Sequence, residues 1–280
     1  LGKEKVMAVI ATNTAANTAL VYLNKNAADQ SKSLAKISSG SRIVSASDDA
    51  AGLAVGVGLK ADVGVYKQAG INAQQSIAIL SIADGALGQV SDILERQKVL
   101  AAAAASGTVS NTERAYLDSE FQALEAEINA IETATTFNGD SLVDGAFNFN
   151  VLVGVAAADI IALNLTTVNI DSTSIGTAAG DLTGATPANA ITAIGLIETG
   201  IGNIAADRAT VGALQSRFGF RQQVIAAAVD NTQAAVSSIL DVDIAAEQTN
   251  LTNKRVLTEA AIAGLSQANQ LTQSLLSLLR

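Results

Sequence analysis

Residues 251–280 read LTNKRVLTEAAIAGLSQANQLTQSLLSLLR, and the predicted fold depends on this stretch. Side chains suited to a packed face recur there at alternating intervals of three and four residues, which is the spacing of a heptad seam. No side chain between Glu259 and Arg280 is charged. We therefore predict a tail helix over residues 241–280 that needs packing partners on several sides. The predicted seam contains Leu251, Thr258, Ile262, Leu265, Asn269, Thr272, Leu276 and Leu279.

The uncharged part of the tail is long enough to cross a lipid bilayer, since a helix rises about 1.5 Å per residue. Its amide side chains argue against a span, because amides are costly in hydrocarbon. In a protein assembly the same amides can pair between neighbouring helices. We predict no membrane span and a tail packed against other helices. The amides are Gln267, Asn269, Gln270 and Gln273.

The composition favours long, closely packed helices. Hydrophobic residues make up 49% of the 280 residues, aromatic residues only 3%, and Pro187 is the single proline. Small apolar side chains let helices approach closely, and nothing interrupts a helix on either side of Pro187. The formal net charge of -9 opposes nonspecific binding to nucleic acid or to anionic lipid. We predict no nucleic-acid partner.

Two missing residue types limit the chemistry of the chain, which contains no Cys and no His. Thiolate catalysis is therefore excluded, and the commonest general base and metal ligand is absent. The glycine-rich run from Gly52 to Gly70 lacks the Gly-Lys-Ser/Thr ending of a phosphate-binding loop, so we attribute it to close helix packing. We predict a protein that is not an enzyme, with no catalytic residues, cofactor or metal.

The amino-terminal segment, residues 8–38, predicts a helix with a weaker seam. Half of this seam is polar, so the helix would be marginal alone. Lys25, Lys32 and Lys36 complement the acidic residues at the start of the tail, between positions 241 and 247; the alternative is an ordinary solvated charge pattern. The seam contains Ile10, Asn17, Leu20, Asn24, Ser31, Leu34 and Ser38, and Leu23 and Ile37 are further large apolar members.

Three more helices are predicted inside these terminal segments. The first runs from a Ser47 cap to about Ala105 and carries two apolar seams, which call for more than one helical partner. The second starts at a capping box of Ser110 and Glu113 and turns back along the first. The third starts at Pro187 and continues to a soft break at residues 241–243. The main seam of the first contains Leu80, Ala83, Leu87, Val90 and Leu94.

The apolar period changes to two in the middle of the chain. We predict a β-hairpin with a turn at residues 154–159 and one face laid on the helices. Residues 167–185, rich in Gly, Ser, Thr and Asp, predict a short irregular outer segment. The fold class is thus mainly α, a long antiparallel helical bundle and coiled-coil rod built from both chain ends, with a small β-hairpin region. The alternating residues are Phe147, Phe149, Val151 and Val153, then Ile161, Leu163 and Leu165.

Three motifs resemble the signatures of bacterial flagellins. The first is SSGSRI at residues 38–43 followed by DDAAG at residues 48–52. The second is TFNG at residues 136–139, similar to the family's turn after its second inner helix. The third is QANQ at residues 267–270 with LLSLLR at residues 275–280, similar to the family's carboxyl end. The resemblance spans residues 8–165 and 190–280.

This resemblance implies a subunit that is exported through the hollow flagellum without a cleaved signal peptide and polymerises outside the cell into a homopolymeric filament. It implies a terminal coiled-coil domain of residues 6–43 plus 241–280, which lines the filament's inner tube when the terminal helices fold. It also implies a helical rod domain of residues 44–166 plus 186–240, and residues 167–185 form the variable outer segment. The family's other partners are an export chaperone and the cap and junction proteins.

The resemblance also assigns roles to particular residues. The hairpin at Phe147 to Leu165 matches the element that sets filament supercoiling; the alternative is that it only covers apolar side chains. Residues Leu94, Glu95, Arg96 and Leu100 match the stretch that contacts neighbouring protofilaments and that the animal Toll-like receptor for flagellin recognises; the alternative is an ordinary exposed helix face. The receptor-recognised version has an acidic residue where Val99 stands here.

Other functions share parts of this pattern. A hook-filament junction protein has the same terminal architecture, although the match through Arg280 favours flagellin. An adhesin could use the scaffold to hold a surface ligand such as a polysaccharide at residues 167–185. A chemoreceptor-like signalling rod is disfavoured because no membrane segment is predicted.

Overall fold

The computed structural model describes residues 12–184 and 186–278 and confirms a mainly α fold. The long helices from the amino-terminal part pack against those from the carboxyl-terminal part, α1 against α6 and α2 against α5, with two small β-hairpins between them. In chain order the elements are α1 Thr14–Ser39, α2 Ala50–Ala104, α3 Asn111–Ala134, β1 Thr136–Phe137, β2 Asp140–Ser141, β3 Asn148–Leu152, β4 Ile160–Asn164, α4 Ser172–Ile175, α5 Ala188–Leu240 and α6 Ile244–Leu278.

Internal contacts divide the chain into two compact units. Unit 1 contains the described parts of residues 1–61 and 232–280, and unit 2 contains residues 62–231. The boundary falls inside α2 and α5, which are continuous helices. Contacts therefore group the first turns of α2 and the last turns of α5 with the terminal helices.

Local side-chain chemistry sets where the helices begin. The predicted Ser47 cap is wrong, because Asp49 caps α2 by accepting the Gly52 N–H at 2.8 Å. The predicted capping box of Ser110 and Glu113 is confirmed at the start of α3. Asp243 accepts the Ala246 N–H at 3.0 Å and so starts α6 after the predicted soft break.

In unit 1, the segment that follows α1 is hydrogen-bonded to the segment that precedes α6. Ser41 and Asp241 form an antiparallel bridge between the link after α1 and the link before α6. The Arg42 N–H donates to the Leu240 carbonyl at 2.6 Å, and the Val242 N–H donates to the Gly40 carbonyl at 3.1 Å. Gly40 takes a positive φ of 69°, which a residue with a side chain rarely adopts, so the chain can leave α1 at this point.

The core of unit 2 lies between α2, α3, α5 and the hairpin region. The main predicted seam of α2, Leu80 to Leu94, is fully buried, as are Phe121 of α3 and Phe218 of α5. Residues 167–185 do not stand apart from this core. Within that segment Val168, Ile170, Ile175 and Leu182 are buried, because α4 and its flanking turns pack on α3.

Among the described residues, α2 is the one helix that is long and apolar enough to cross a membrane, with a window of mean hydropathy 1.5. This is weak evidence for a span, because core helices of proteins in water have the same composition. Here 33% of that window is buried inside the protein.

The glycines of α2 have different roles. At Gly56 an added Cβ would lie 2.6 Å from a methyl carbon of Leu240, and at Gly52 it would meet Ile43 at 2.9 Å. At Gly58 and Gly64 an added Cβ would meet nothing within 4 Å. The predicted close packing of helices is thus confirmed at Gly56, where α5 approaches α2, but not at Gly58 or Gly64, and Gly52 is crowded by the segment that leads into α2.

Asp207 is a carboxylate in the buried stripe of α5. It lies between Ile204 and Val211 and is only 8% exposed. Burial raises the pKa of Asp207 from 3.8 to about 6, because the charged form loses water. Since the folded state holds this proton more tightly than the unfolded chain, stability falls as the pH rises from about 4 to about 6.

Replacing Gly56 by Ala should destabilise unit 1, because the new methyl group forces Leu240 out of place. We expect a loss of about 1–3 kcal/mol, typical of overpacking. Gly58→Ala is the matched control, and it should be neutral or stabilising by up to about 1 kcal/mol, since Ala is the better helix former. Thermal unfolding followed by circular dichroism measures both. Equal melting temperatures for the two variants would contradict the close contact.

Asp207→Asn should stabilise the protein at pH 8 by about 2 kcal/mol, because it removes a buried charge. At pH 5 wild-type Asp207 is largely protonated when folded, so the gain should shrink by about 1 kcal/mol. Denaturant unfolding at the two pH values measures this, with the exposed Asp230→Asn on the same helix as the control. A gain independent of pH would show that the charge of Asp207 is not the cause.

Candidate functional site

The antiparallel pair of α1 and α6 does not use the seam predicted for α1. All described members of that predicted seam, including Leu20 and Leu34, are exposed. The face that packs on α6 is a neighbouring stripe of mostly small and polar side chains. This inner seam contains Ala16, Ala19, Leu23, Asn26, Gln30, Ser33 and Ile37.

On α6 half of the predicted seam is confirmed. The positions seven residues apart, Leu251, Thr258, Leu265 and Thr272, are half-buried against α1. The positions between them are Lys254, Ala261 and Ala268, whereas the predicted Ile262 and Asn269 are exposed. The side chain of Leu276 is not described, and Ile10 and Leu279 lie outside the described residues.

Polar contacts set the register of this pair. The Lys254 ammonium donates to Asp29 Oδ2 at 2.7 Å, and Asn13 Nδ2 donates to the Ala268 carbonyl at 3.0 Å. The hydrogen bond from Lys254 is the main reason why the pKa of Asp29 is lowered from 3.8. Of the three α1 lysines that complement the acidic start of the tail in sequence, Lys32 instead lies 3.7 Å from Asp48.

Many large apolar side chains of α1 and α6 lie outside the inner seam and are exposed. Leu34 is 55% exposed and Ile262 is 53% exposed. We call this set the outer stripe. Most members of the outer stripe were not predicted, because they lie outside the heptad positions identified in the sequence. The outer stripe contains Leu20, Val21, Tyr22, Leu34, Val256, Leu257, Ile262 and Leu271.

The predicted β-hairpin is confirmed, with β3 and β4 antiparallel and Val151 opposite Ile161. Its inner face buries Phe147, Ile161 and Leu163, and Val151 is half-buried. Phe149 is 48% exposed, but its ring lies 4.7 Å from that of Phe147, and both line an apolar groove of about 200 Å³. The hairpin thus presents aromatic surface at the outside as well as to the core.

Arg221 fixes the hairpin to α5. Its Nε donates to the Val153 carbonyl at 2.9 Å, and its Nη2 lies 3.5 Å from Asp159 Oδ1. The other oxygen of Asp159 accepts the Ala156 N–H at 3.2 Å, which closes the turn. One arginine therefore holds both the end of β3 and the turn that follows it.

The stretch expected to contact protofilaments or a receptor is only partly at the surface. Leu94 is fully buried and Leu100 is 3% exposed, because both belong to the core stripe of α2. Glu95 and Arg96 are exposed, and Arg96 Nη2 lies 2.5 Å from Glu120 of α3. The two leucines are therefore corrected to core residues, and the exposed face is reduced to Glu95 and Arg96.

The described residues include no group of three or more His, Cys, Asp or Glu side chains that could hold a metal ion. The surfaces described above are apolar or charged faces of helices and of the hairpin. Their chemistry suits protein contacts.

Comparisons with known proteins agree on one family. Residues 10–148 match the model of the bacterial flagellin N-terminal helical region, and residues 194–279 match that of the C-terminal helical region. The chain is 38% identical to a flagellin of Halalkalibacterium halodurans, over 89% of this chain and 91% of that protein. It is 35% identical to the flagellar filament 33 kDa core protein of Treponema phagedenis, over 89% and 92%. With the flagellin of Bacillus subtilis it shares 32% identity over 96% and 98%.

Arg221→Met should loosen the hairpin without unfolding the helices, because it removes both contacts of the guanidinium but keeps an apolar side chain. Losing a hydrogen bond from a charged donor should speed amide exchange in β3 and β4 about tenfold. Hydrogen exchange measures this, and Arg217→Met is the control, since Arg217 lies one turn away and has no bonded partner among the residues that the structure describes. If the hairpin amides of Arg221→Met exchanged as slowly as those of wild type, Arg221 would not be the residue that holds the hairpin to α5.

Proposed function

Because the chain belongs to the bacterial flagellin family and is a structural, non-enzymatic subunit of the flagellar filament, we propose that folding and burial of α1 and α6 against neighbouring copies drive its assembly. As a flagellin it self-assembles into an extracellular filament. The observation that carries the proposal is the outer stripe, which leaves eight large apolar side chains exposed on a single helix pair.

The two faces of this pair differ in the hydrophobic stabilisation that their burial supplies. The inner seam buries mainly Ala, Asn, Gln and Ser, so it contributes little hydrophobic stabilisation to set against the entropy cost of ordering two helices. Burial of the outer stripe in neighbouring copies would add about 1–2 kcal/mol for each large side chain. The terminal helices are thus stabilised mainly by assembly.

The proposed polymerisation residues take two separate roles in this mechanism. Leu23, Ile37, Leu251 and Leu265 hold α1 against α6 within one copy. Leu20, Leu34 and Ile262 contact other copies. We extend the same contacts to Ile10, Leu276 and Leu279, which belong to the seams predicted from the sequence.

We retain the domain organisation implied by the family as part of the proposal. Residues 6–43 plus 241–280 form the inner tube, residues 44–166 plus 186–240 form the surrounding rod domain, and residues 167–185 form its outer segment. The hairpin at residues 147–165 changes position between protofilament states, and its attachment to α5 through the Arg221 side chain supports this role, since a side-chain contact can be released without unfolding a helix. Glu95 and Arg96 contact a neighbouring protofilament or a host receptor.

Export through the hollow flagellum without a cleaved signal peptide completes the proposal. A long helical chain without cysteine suits passage in an unfolded state, because no disulfide has to be broken. A chaperone that covers the apolar tail before export, and cap and junction proteins at the filament ends, are the remaining proposed partners.

Leu34→Gln should impair assembly and leave the monomer's stability unchanged, because Leu34 is 55% exposed in the free chain. We expect the critical concentration for seeded elongation to rise about tenfold, as for the loss of about 1.4 kcal/mol of burial per copy. Light scattering and electron microscopy measure elongation, and thermal unfolding measures the monomer.

Two control variants distinguish the effect of the outer stripe of α1 from that of its inner seam. Asn24→Gln, exposed on the same helix, should elongate like wild type. Leu23→Gln, in the inner seam, should lower the stability of the α1 and α6 pair already in the monomer. If Leu34→Gln elongated normally, the outer stripe would not be an assembly surface.

A further inference from the structure

The turn between β1 and β2 contains the only asparagine of the chain that is followed by glycine. Asn138 has a φ of 55° and Gly139 a φ of 95°, as a tight two-residue hairpin turn requires. Both residues are exposed. Because glycine has no side chain, nothing of its own keeps the asparagine side chain away from the next backbone nitrogen. The pair is therefore a candidate for covalent modification.

The two groups that would react with each other are free in the folded chain. The side-chain amide of Asn138 makes no hydrogen bond with any residue that the structure describes, and the same is true of the Gly139 N–H. A Cβ added at Gly139 would meet no atom within 4 Å, so no neighbouring side chain covers this nitrogen. The Asn138 amide carbon and the Gly139 nitrogen are thus open to each other and to water.

The strands on either side of the turn hold it weakly. Their ladder consists of two residue pairs, Thr136 with Ser141 and Phe137 with Asp140. A two-stranded hairpin is marginally stable on its own, so this ladder should open more readily than the long helices of unit 2. Such opening lets the backbone of Asn138 rotate until the next nitrogen reaches its side-chain carbonyl. The fold therefore opposes the reaction only weakly.

A second turn of similar sequence, Asp144-Gly145, is held by its contacts. Asp144 Oδ1 accepts the Ala146 N–H at 2.9 Å, so its carboxylate is already engaged. A Cβ added at Gly145 would lie 3.3 Å from Asn169, which shows that a neighbouring side chain covers this glycine. The freedom of Asn138 is thus a property of its own turn and is not shared by both turns.

We propose that Asn138 is a site of spontaneous deamidation in the folded protein. The Gly139 nitrogen loses its proton to hydroxide and bonds to the amide carbon of Asn138, and the side-chain nitrogen leaves as ammonia. The product of this step is a cyclic imide. Water then adds to either of the imide carbonyls and breaks its bond to the Gly139 nitrogen, which gives aspartate or isoaspartate. Water is the only co-reactant that the sequence of steps consumes.

The modification would change an apolar groove. Phe137, Asn138 and Asp140 border the groove of about 200 Å³ that also contains Phe147 and Phe149. Either product adds a negative charge next to Asp140, and isoaspartate also lengthens the backbone of the turn by a methylene group. A two-residue turn depends on its backbone geometry, so isoaspartate should separate β1 from β2. Because the reaction is slow and irreversible, older filaments should contain more of the product than new ones.

Peptide mapping by mass spectrometry tests the site. In folded wild type at mildly alkaline pH, Asn138 should be converted about tenfold or more faster than Asn150, which is also exposed but lies in the β3 ladder before the β-branched Val151. Asn138→Gln is the matched control, since glutamine keeps the amide but would have to close a larger ring, and no product should form at this position. Conversion of Asn138 no faster than that of Asn150 would overturn the proposal.

The same chain unfolded in denaturant shows whether the folded turn itself reacts. Folding should slow the conversion of Asn138 by no more than about tenfold, because neither reacting group is covered. Stronger protection would show that the fold shields this site, and the proposal would be wrong.

Hydrogen exchange tests the consequence for the turn. After incubation, amides of residues 135–142 should exchange faster in wild type and at their original rate in Asn138→Gln. Enzymatic methylation of isoaspartyl carboxyl groups measures how much of the wild type carries that product. If chains with isoaspartate exchanged as slowly as fresh ones, the proposed separation of β1 from β2 would be wrong.

Discussion

The pairing of α1 with α6 through small and polar side chains is the constraint on which the rest of this structure depends. Ala and Ser allow the two helices to lie close together, and the Asp29–Lys254 ion pair sets their register. Because the seam uses few large apolar residues, those residues remain on the outside of the pair. A surface that calls for further partners is thus a direct consequence of how the two ends of the chain meet.

The heptad spacing of the terminal helices could be predicted from the sequence, but the face of each helix that packs on its partner could not. Leu251 and Leu265 pack where predicted, yet Ala261 takes the place expected for Ile262, and Leu20 and Leu34 face outward. Heptad analysis assumes that the largest apolar side chains face the nearest partner within the chain. That assumption fails where a helix packs on two partners. The small residues then contact the other terminal helix of the same chain, and the large residues remain exposed for contact with neighbouring copies.

Features with a strong local cause were predicted well. The Ser110–Glu113 capping box forms as expected, and the turn at Asn138-Gly139 places both residues at positive φ. Features set by tertiary packing were missed. The burial of Ile175 and Leu182 and the buried carboxylate of Asp207 depend on which helices lie opposite, and no local spacing reveals that.

The proposed assembly surface on the terminal helices has a definite dependence on solution conditions. The outer stripe is apolar, so the free energy of burying it rises with excluded solutes and hardly changes with dilute salt. A filament held by this surface would keep its inner helices packed in high salt. Apolar burial would then determine whether copies assemble.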